Sequence, residues 1–464
     1  MTIKLGLEIH VSLSTKTKLF CACKNDSSSP NTLLCPVCAG HPGARLSINK
    51  EAVVQALALA SALECKLCET LLFARKTYFY PDLPRNYQIT QLENPVGSSG
   101  VLRLEDGSQI RIRRVQLEED PGSLSYEGAL TTATHSLIDY NRAGTPLVEI
   151  VTEPDFTSPA QVRAFMKELS LVLSYLGVRE DDARIKADAN VSIEESGFVR
   201  VEIKNITGFK SIEQAIKREL VRQKLLVKKG SSIVQQTRGW DGAATYLLRE
   251  KEEENDYGYI VEPNVPLIAI SQELLLDAKK RIPELPQQRI QRYCDAFGID
   301  YEDAKVLVQD KELALVFEEL AKSVSAPLAA RWVREQVARV LHYTKKSFSE
   351  SPLTIEHVVA VLALLEKESI TEQTAKKLME DLSVQAFDVS ARVESDGLSV
   401  LSQGDELQGI CEQVISENKK AFEDYLSGEE KALNFLIGQV MRITRSRASP
   451  DVVRTAFETL VNDR

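Results

Sequence analysis

KLGLEIHVSL, residues 4–13, alternates without a break: Leu5, Leu7, Ile9, Val11 and Leu13 fall on one side, Gly6, Glu8, His10 and Ser12 on the other. A period of two with one apolar side is the pattern of a strand that packs one face and leaves the other for polar work. FVRVEIKNI repeats it, with Val199, Val201 and Ile203 opposed to Arg200, Glu202 and Lys204. VLRLEDGSQIRIRRVQLEE reads as two strands joined at Asp106-Gly107, a hairpin dipeptide, and PLVEIV as a further strand. Helices interrupt them. Ser158-Pro159 opens QVRAFMKELSLVLSYLG and Gly177 closes it, while SIEQAIKRELVRQKLLVKKG ends at Gly230. The expected fold is α+β: a mainly antiparallel sheet with helical insertions over residues 1–290. Beyond it the pattern turns helical (DKELALVFEELAKSV, IEHVVAVLALLEKE), giving a helical domain over 291–398. Turns at Asp396-Gly397 and Ser402–Gly404 then precede a helical tail over 399–464.

The 464 residues, with 43% hydrophobic and 27% charged content, describe an ordinary globular chain of two to four domains. A net charge of −10 does not advertise a nucleic-acid binder, although a local basic face is enough for one. The apolar runs VVQALALASAL and VVAVLALL fall short of the roughly 18 residues a membrane span needs. MTIKLGLEIHV enters a strand directly with no signal pattern, so a cytoplasmic location is expected.

Four cysteines follow the first strand: Cys21-Ala-Cys23 and Cys35-Pro-Val-Cys38. Two close pairs around a polar, turn-rich loop suit a tetrahedral four-sulfur zinc site; free thiols in a reducing compartment are the alternative. Glu8 and His10 project from one face of the strand before this loop, and a carboxylate with an imidazole can hold a divalent metal or shuttle a proton. Taken alone, the pair is explained better by a partly solvated polar face. Acidic residues also end two other strands, Glu118-Glu119-Asp120 and Glu149 with Glu153 and Asp155. Carboxylates gathered with one histidine suit magnesium. RKTYFYPDLP (75–84) packs cations and aromatics into a proline-bounded loop, which fits either a nucleotide base with its phosphates or a surface turn.

No G-x-x-x-x-G-K-[ST] sequence is present, so a Walker loop is excluded. Gly97-Ser98-Ser99-Gly100 reads as a hairpin loop. Cys65 and Cys68 read as buried thiols, and His41 as a loop residue beside the zinc.

Taken together, GLEIHVSLSTKTKLFCAC, NTLLCPVCAGHPGA, RKTYFYPDLPRNYQITQ, LEEDPGSL, DYNRAGTPLVEIVTEPD, KADANVSI, VEIKNITGFKSIEQAI, TRGWD, DYGYIVEP and KALNFLIGQVM resemble, in order, the B subunit of the heterotrimeric aspartyl/glutamyl-tRNA amidotransferases. The resemblance spans essentially the whole chain. It implies an N-terminal cradle that binds ATP and Mg2+ and phosphorylates the side-chain carboxylate of Glu-tRNA(Gln) or Asp-tRNA(Asn). It also implies a glutaminase A subunit that delivers ammonia, a small C subunit, and a helical tail that holds the tRNA. Carried over by motif, the magnesium ligands are His10, Glu119 and Glu149, supported by Glu8; within LEED, Glu119 rather than Glu118 is assigned. Lys76, Tyr78, Lys204 and Arg249 are the expected ATP or acyl-phosphate contacts, and Cys21, Cys23, Cys35 and Cys38 the zinc ligands. The chain departs from the family at Gly258 and Ile260, where an arginine and an aromatic are expected, and Tyr126–Ser136 is longer than usual. The competing expectation is a catalytically silent, zinc-containing tRNA-binding adaptor; an intact His10, Glu119 and Glu149 set speaks against it.

Overall fold

Strand β1 (Ile3–Ser12) lies inside a nine-stranded sheet in the computed structural model, which describes residues 2–26, 28–127, 133–178, 185–250, 257–401, 405–444 and 447–462. The Ser402–Gly404 turn, part of the long Tyr126–Ser136 stretch and Asp256 fall outside these residues. The other strands of the sheet are β2 (Lys66–Leu67), β3 (Gly97–Arg103), β4 (Gln109–Glu119), β5 (Pro146–Thr152), β6 (Lys186–Ile193), β7 (Val201–Thr207), β8 (Gln236–Trp240) and β9 (Thr245–Glu250). Their spatial order is 9-8-7-6-1-5-4-3-2. Every neighbouring pair is antiparallel except β7 with β8. The mainly antiparallel α+β reading holds.

Alternation in β1 separates two environments. Leu5, Leu7, Ile9 and Val11 are buried in one core, which also takes in Leu57 of helix α1 (Lys50–Ala62), Phe165 and Leu169 of α2 (Pro159–Leu176), and Ile212 and Ile216 of α3 (Phe209–Lys228). Glu8 and His10 face away from it and are only partly covered. The helix boundaries follow local chemistry. The Ser158 hydroxyl accepts from the Gln161 N–H at the start of α2, and Gly177 ends it at φ 65°, a left-handed turn that glycine enters without steric cost.

One local expectation fails. Gly97–Gly100 is not a hairpin loop but the first half of β3, paired with β2 and β4. Its glycines are there for close approach: a Cβ on Gly100 would meet the Cys65 sulfur at 2.4 Å and the Leu63 carbonyl oxygen at 2.5 Å. Asp106-Gly107 does make the hairpin, with Gly107 at φ 80° and the Leu104 N–H donating to the Ser108 carbonyl at 2.8 Å.

The chain forms two compact units, Met1–Leu285 and Pro286–Arg464. All described elements of the second are helices, and its last helices enclose a cluster of their own, including Leu407, Val414, Leu436, Val440 and Phe457. No helix among the described residues is long and apolar enough to cross a membrane.

Candidate metal and nucleotide site

His10 of β1 sits directly opposite Glu149 of β5, and Glu149 directly opposite Gln116 of β4. Residues paired across antiparallel strands share a face, and so does the residue two further along. Glu118 therefore joins His10 and Glu149, and one ligand atom from each lies within 4.8 Å of the others. His10 Nε2 is 3.7 Å from Glu118 Oε1; Thr90 Oγ1 donates to Glu118 Oε2 at 2.9 Å, and Gln116 Nε2 to Glu149 Oε2 at 2.7 Å. By this parity Glu118, and not Glu119, shares the face of His10 and Glu149. Glu119 lies on the Val115–Leu117 side of β4, where its Oε1 accepts from Arg85 and from the Ile89 N–H at 3.1 Å.

Electrostatics mark the spot as crowded. Burial, then the Glu118 charge, pushes the Glu149 carboxyl above the ordinary carboxylate range. Burial opposes protonation of His10, but Glu149, Glu118, Asp188 and Glu8 together outweigh it and hold the imidazole above its usual value. Two buried carboxylates and an imidazole this close form an oxygen-rich donor set suited to a hard divalent cation.

Glu8 belongs to a second set that sequence reasoning missed in part. It pairs with Asp188 across β1 and β6, and with Asp188 and Glu202 it brings three carboxylates together. Burial, then Glu149 and Asp188, raise the Glu8 carboxyl, while Asn190 Nδ2 donates to it at 3.1 Å. Lys204 Nζ lies 3.5 Å from Glu202 and 3.7 Å from Asp188; burial works against its charge, but these two carboxylates hold it protonated. The signal was present in KADANVSI, where Asp188 is the lone acid of a mostly buried strand.

The remaining predicted contacts meet at Tyr257, which sequence reasoning did not single out. Lys76 Nζ lies 4.6 Å from its ring centre, the Tyr78 ring is 6.0 Å away edge-on, and Arg249 Nη2 is 3.5 Å from its hydroxyl. Burial, then Asp82 and Glu118, keep the Tyr78 phenol protonated. Lys204 thus lies against the acidic set, and Lys76 and Arg249 gather at Tyr257, side chains of a kind that can bind phosphate oxygens. At the departures from the family motif, Ile260 pairs with Arg75 across short strands, and Arg75 grips the fully buried Glu262 through two bonds of 2.7 and 3.0 Å.

The four cysteines converge, with their sulfurs within 4.8 Å of one another. Cys38 Sγ is 3.9 Å from both Cys23 and Cys35 and accepts from the Cys35 N–H at 3.3 Å. A hydrogen bond from Cys21 holds Cys38 down at about 4, the same bond pushes Cys21 up, and burial takes Cys23 to about 11. Four converging sulfurs are a fitting set for a soft dication, which would let each bind as thiolate. The ammonium of Lys18, fully buried, donates to the carbonyls of Leu33 at 3.0 Å and Tyr140 at 3.4 Å beside them. His41 stays outside the set, and burial pushes Cys65 and Cys68 up to about 12 and 11, as inert thiols.

Residues 3–276 match the GatB/GatE catalytic domain and residues 315–461 the GatB domain. The B subunit of the aspartyl/glutamyl-tRNA(Asn/Gln) amidotransferase of Carboxydothermus hydrogenoformans is 40% identical over 463 residues, covering 97% of this chain and 96% of that protein. Its counterpart in Thermotoga maritima is 40% identical, covering 98% of each, and that of Methanothermobacter thermautotrophicus 42% identical, covering 97% and 98%. With both domains matched in order and relatives aligned over nearly their full length, the chain belongs to the family of aspartyl/glutamyl-tRNA(Asn/Gln) amidotransferase B subunits.

Proposed function

We propose that this chain is the activating subunit of a tRNA-dependent amidotransferase. The γ-phosphoryl group of ATP passes to the side-chain carboxylate of Glu-tRNA(Gln) or Asp-tRNA(Asn). Ammonia, released from glutamine by an A subunit, then displaces phosphate to leave the amide, and a small C subunit completes the complex. The chemistry requires the first step because a free carboxylate has no workable leaving group, whereas its acyl phosphate has phosphate.

The observation that supports this reading is the meeting of His10, Glu118 and Glu149 on three adjacent strands. His10, Glu118 and Glu149 would hold magnesium, and Glu8, Asp188 and Glu202 form a second oxygen set beside it. Bound there, the cation supplies charge neutralisation to phosphate oxygens. Lys204, kept protonated by its carboxylate neighbours, and Lys76 bind phosphate and orient it along the cleft. Tyr78, kept as the phenol, donates a hydrogen bond where an ionised group would repel. The cysteine loop would hold zinc in a structural role.

ATP consumption by the reconstituted heterotrimer, with Glu-tRNA(Gln) and ammonia supplied directly, tests the assignment. His10→Ala, Glu118→Ala and Glu149→Ala are each expected to lower turnover by about a hundredfold or more, with Glu119→Gln far milder. Equal losses at Glu118 and Glu119 would remove the metal assignment.

A further inference from the structure

The segment Arg85–Thr90 grips the end of β4 through a row of hydrogen bonds, the Ile89 N–H to Glu119 Oε1 at 3.1 Å among them. Arg85 Nη2 donates to Glu119 Oε1, Gln88 Nε2 donates to the Glu119 carbonyl at 2.8 Å, and Thr90 Oγ1 donates to the Glu118 carboxylate at 2.9 Å. Arg85 is a costly choice for this work. Its side chain is 10% exposed, and its Nε and Nη1 are buried with no hydrogen-bond partner among the described residues. Its charge is held by the Glu119 carboxylate and by the Tyr87 ring, whose centre lies 5.5 Å from the guanidinium carbon. The cysteine loop lies against its back: Gly40, two residues beyond Cys38, has φ +72°, and a Cβ there would fall 2.6 Å from the Pro84 carbonyl oxygen and 2.7 Å from Arg85 Cγ. The turn that carries Gly40 is closed by bonds from the Ala39 N–H to the Cys35 carbonyl at 2.9 Å and from the His41 N–H to the Pro36 carbonyl at 2.9 Å.

We infer that Gly40 and Arg85 are positioning residues through which the four-cysteine loop holds the end of β4, and with it Glu118, in register with His10 and Glu149. The path runs from the Cys35–Cys38 turn to the Gly40 backbone, to Pro84 and Arg85, to Glu119, and across one peptide to Glu118. Neither residue belongs to the proposed cation ligand set; both act through Glu118, which does. A metal bound by the cysteines thereby sets the affinity of the acidic site for its own cation. The inference rests on the proposed divalent site at His10, Glu118 and Glu149.

The test uses the reconstituted heterotrimer with Mn2+ as probe, titrated by the paramagnetic resonance of the free ion, alongside the zinc content of each preparation. Gly40→Ala is expected to keep the zinc and raise the Mn2+ dissociation constant by about tenfold. Arg85→Met combined with Glu119→Gln, which removes the pair without leaving a buried charge, is expected to do the same. Arg85→Lys recovers part of the affinity. Cys35→Ser loses zinc and weakens Mn2+ to a similar degree, and adding it to the Arg85 and Glu119 changes weakens Mn2+ no further, because all act on one path. Wild-type Mn2+ affinity in both Gly40→Ala and the Arg85/Glu119 double variant overturns the inference, as does full multiplication of the Cys35 and Arg85/Glu119 effects. Mn2+ binding that survives His10→Ala would instead overturn the underlying site assignment, whatever Arg85 does.

Discussion

Glu149 is 7% exposed and sits among Glu118, His10 and Gln116, its carboxylate bonded by the neutral Gln116 amide. Its carboxyl, and that of Glu8, are raised first by burial and then by neighbouring carboxylates. A carboxyl whose folded pKa lies above its unfolded value stabilises the fold while it stays protonated. That contribution is present below the unfolded pKa and is lost as pH rises through the folded one. With no divalent cation added, Glu149→Gln is therefore expected to melt above the parent chain near pH 7, with the gap closing toward about pH 4, the ordinary carboxylate range. Saturating Mg2+ reverses the order at pH 7, because only the parent has the ligand. Thermal midpoints across pH, with and without Mg2+, measure this; a gap that does not change with pH would mean the carboxyl is not strained by its surroundings.

At the scale of elements, two glycines let β3 approach the end of α1 and the segment after it. The Gly100 Cβ position is occupied by the Cys65 sulfur and the Leu63 carbonyl oxygen, and that of Gly97 by Ala60 Cβ and Cys65 Cβ, both at 2.8 Å. Gly100→Ala is expected to destabilise the first unit by about 1 to 3 kcal/mol, the usual range for overpacking. Cys65→Ala in the same chain should restore only part of it, since the Leu63 carbonyl accepts the Val101 N–H at 2.9 Å and cannot retreat. Denaturant titration of the single and double variants decides it; complete rescue would place the clash on the sulfur alone. The serine pair between the glycines suggested a loop because GSSG is turn chemistry, and what converts it to strand is the presence of β2 and β4 on either side.

For the whole molecule, the two units have separate cores. The core of Met1–Leu285 is built from its own strands and helices, whereas the cluster around Leu436 and Phe457 closes within residues 401–461. Removing residues 405–464 is accordingly expected to weaken tRNA binding by the heterotrimer while leaving Mn2+ binding and the partner's glutaminase activity at parent levels. Filter binding of Glu-tRNA(Gln) measures the first, and equal tRNA affinity after the deletion would count against a tRNA-holding tail.

The sequence by itself determined what lies along one stretch of backbone. It carried the alternation of β1, the Ser158 and Gly177 ends of α2, the Asp106-Gly107 hairpin, the cysteine quartet and the family. Each of these is decided by side chains a few positions apart, where local geometry leaves little choice. Only the tertiary structure decided which acids meet. Glu118 and Glu119 are both buried, at 3% and 4% exposure, so polarity could not tell the two faces of β4 apart. The register His10–Glu149–Gln116 could, and it puts Glu118 on the face of His10 and Glu149. Asp188, Glu202 and Tyr257 likewise entered the site because strands distant in sequence became neighbours. Side-chain direction is a local property of the chain; the partner across the sheet is set by pairing between segments far apart, and that pairing exists only once the core has formed.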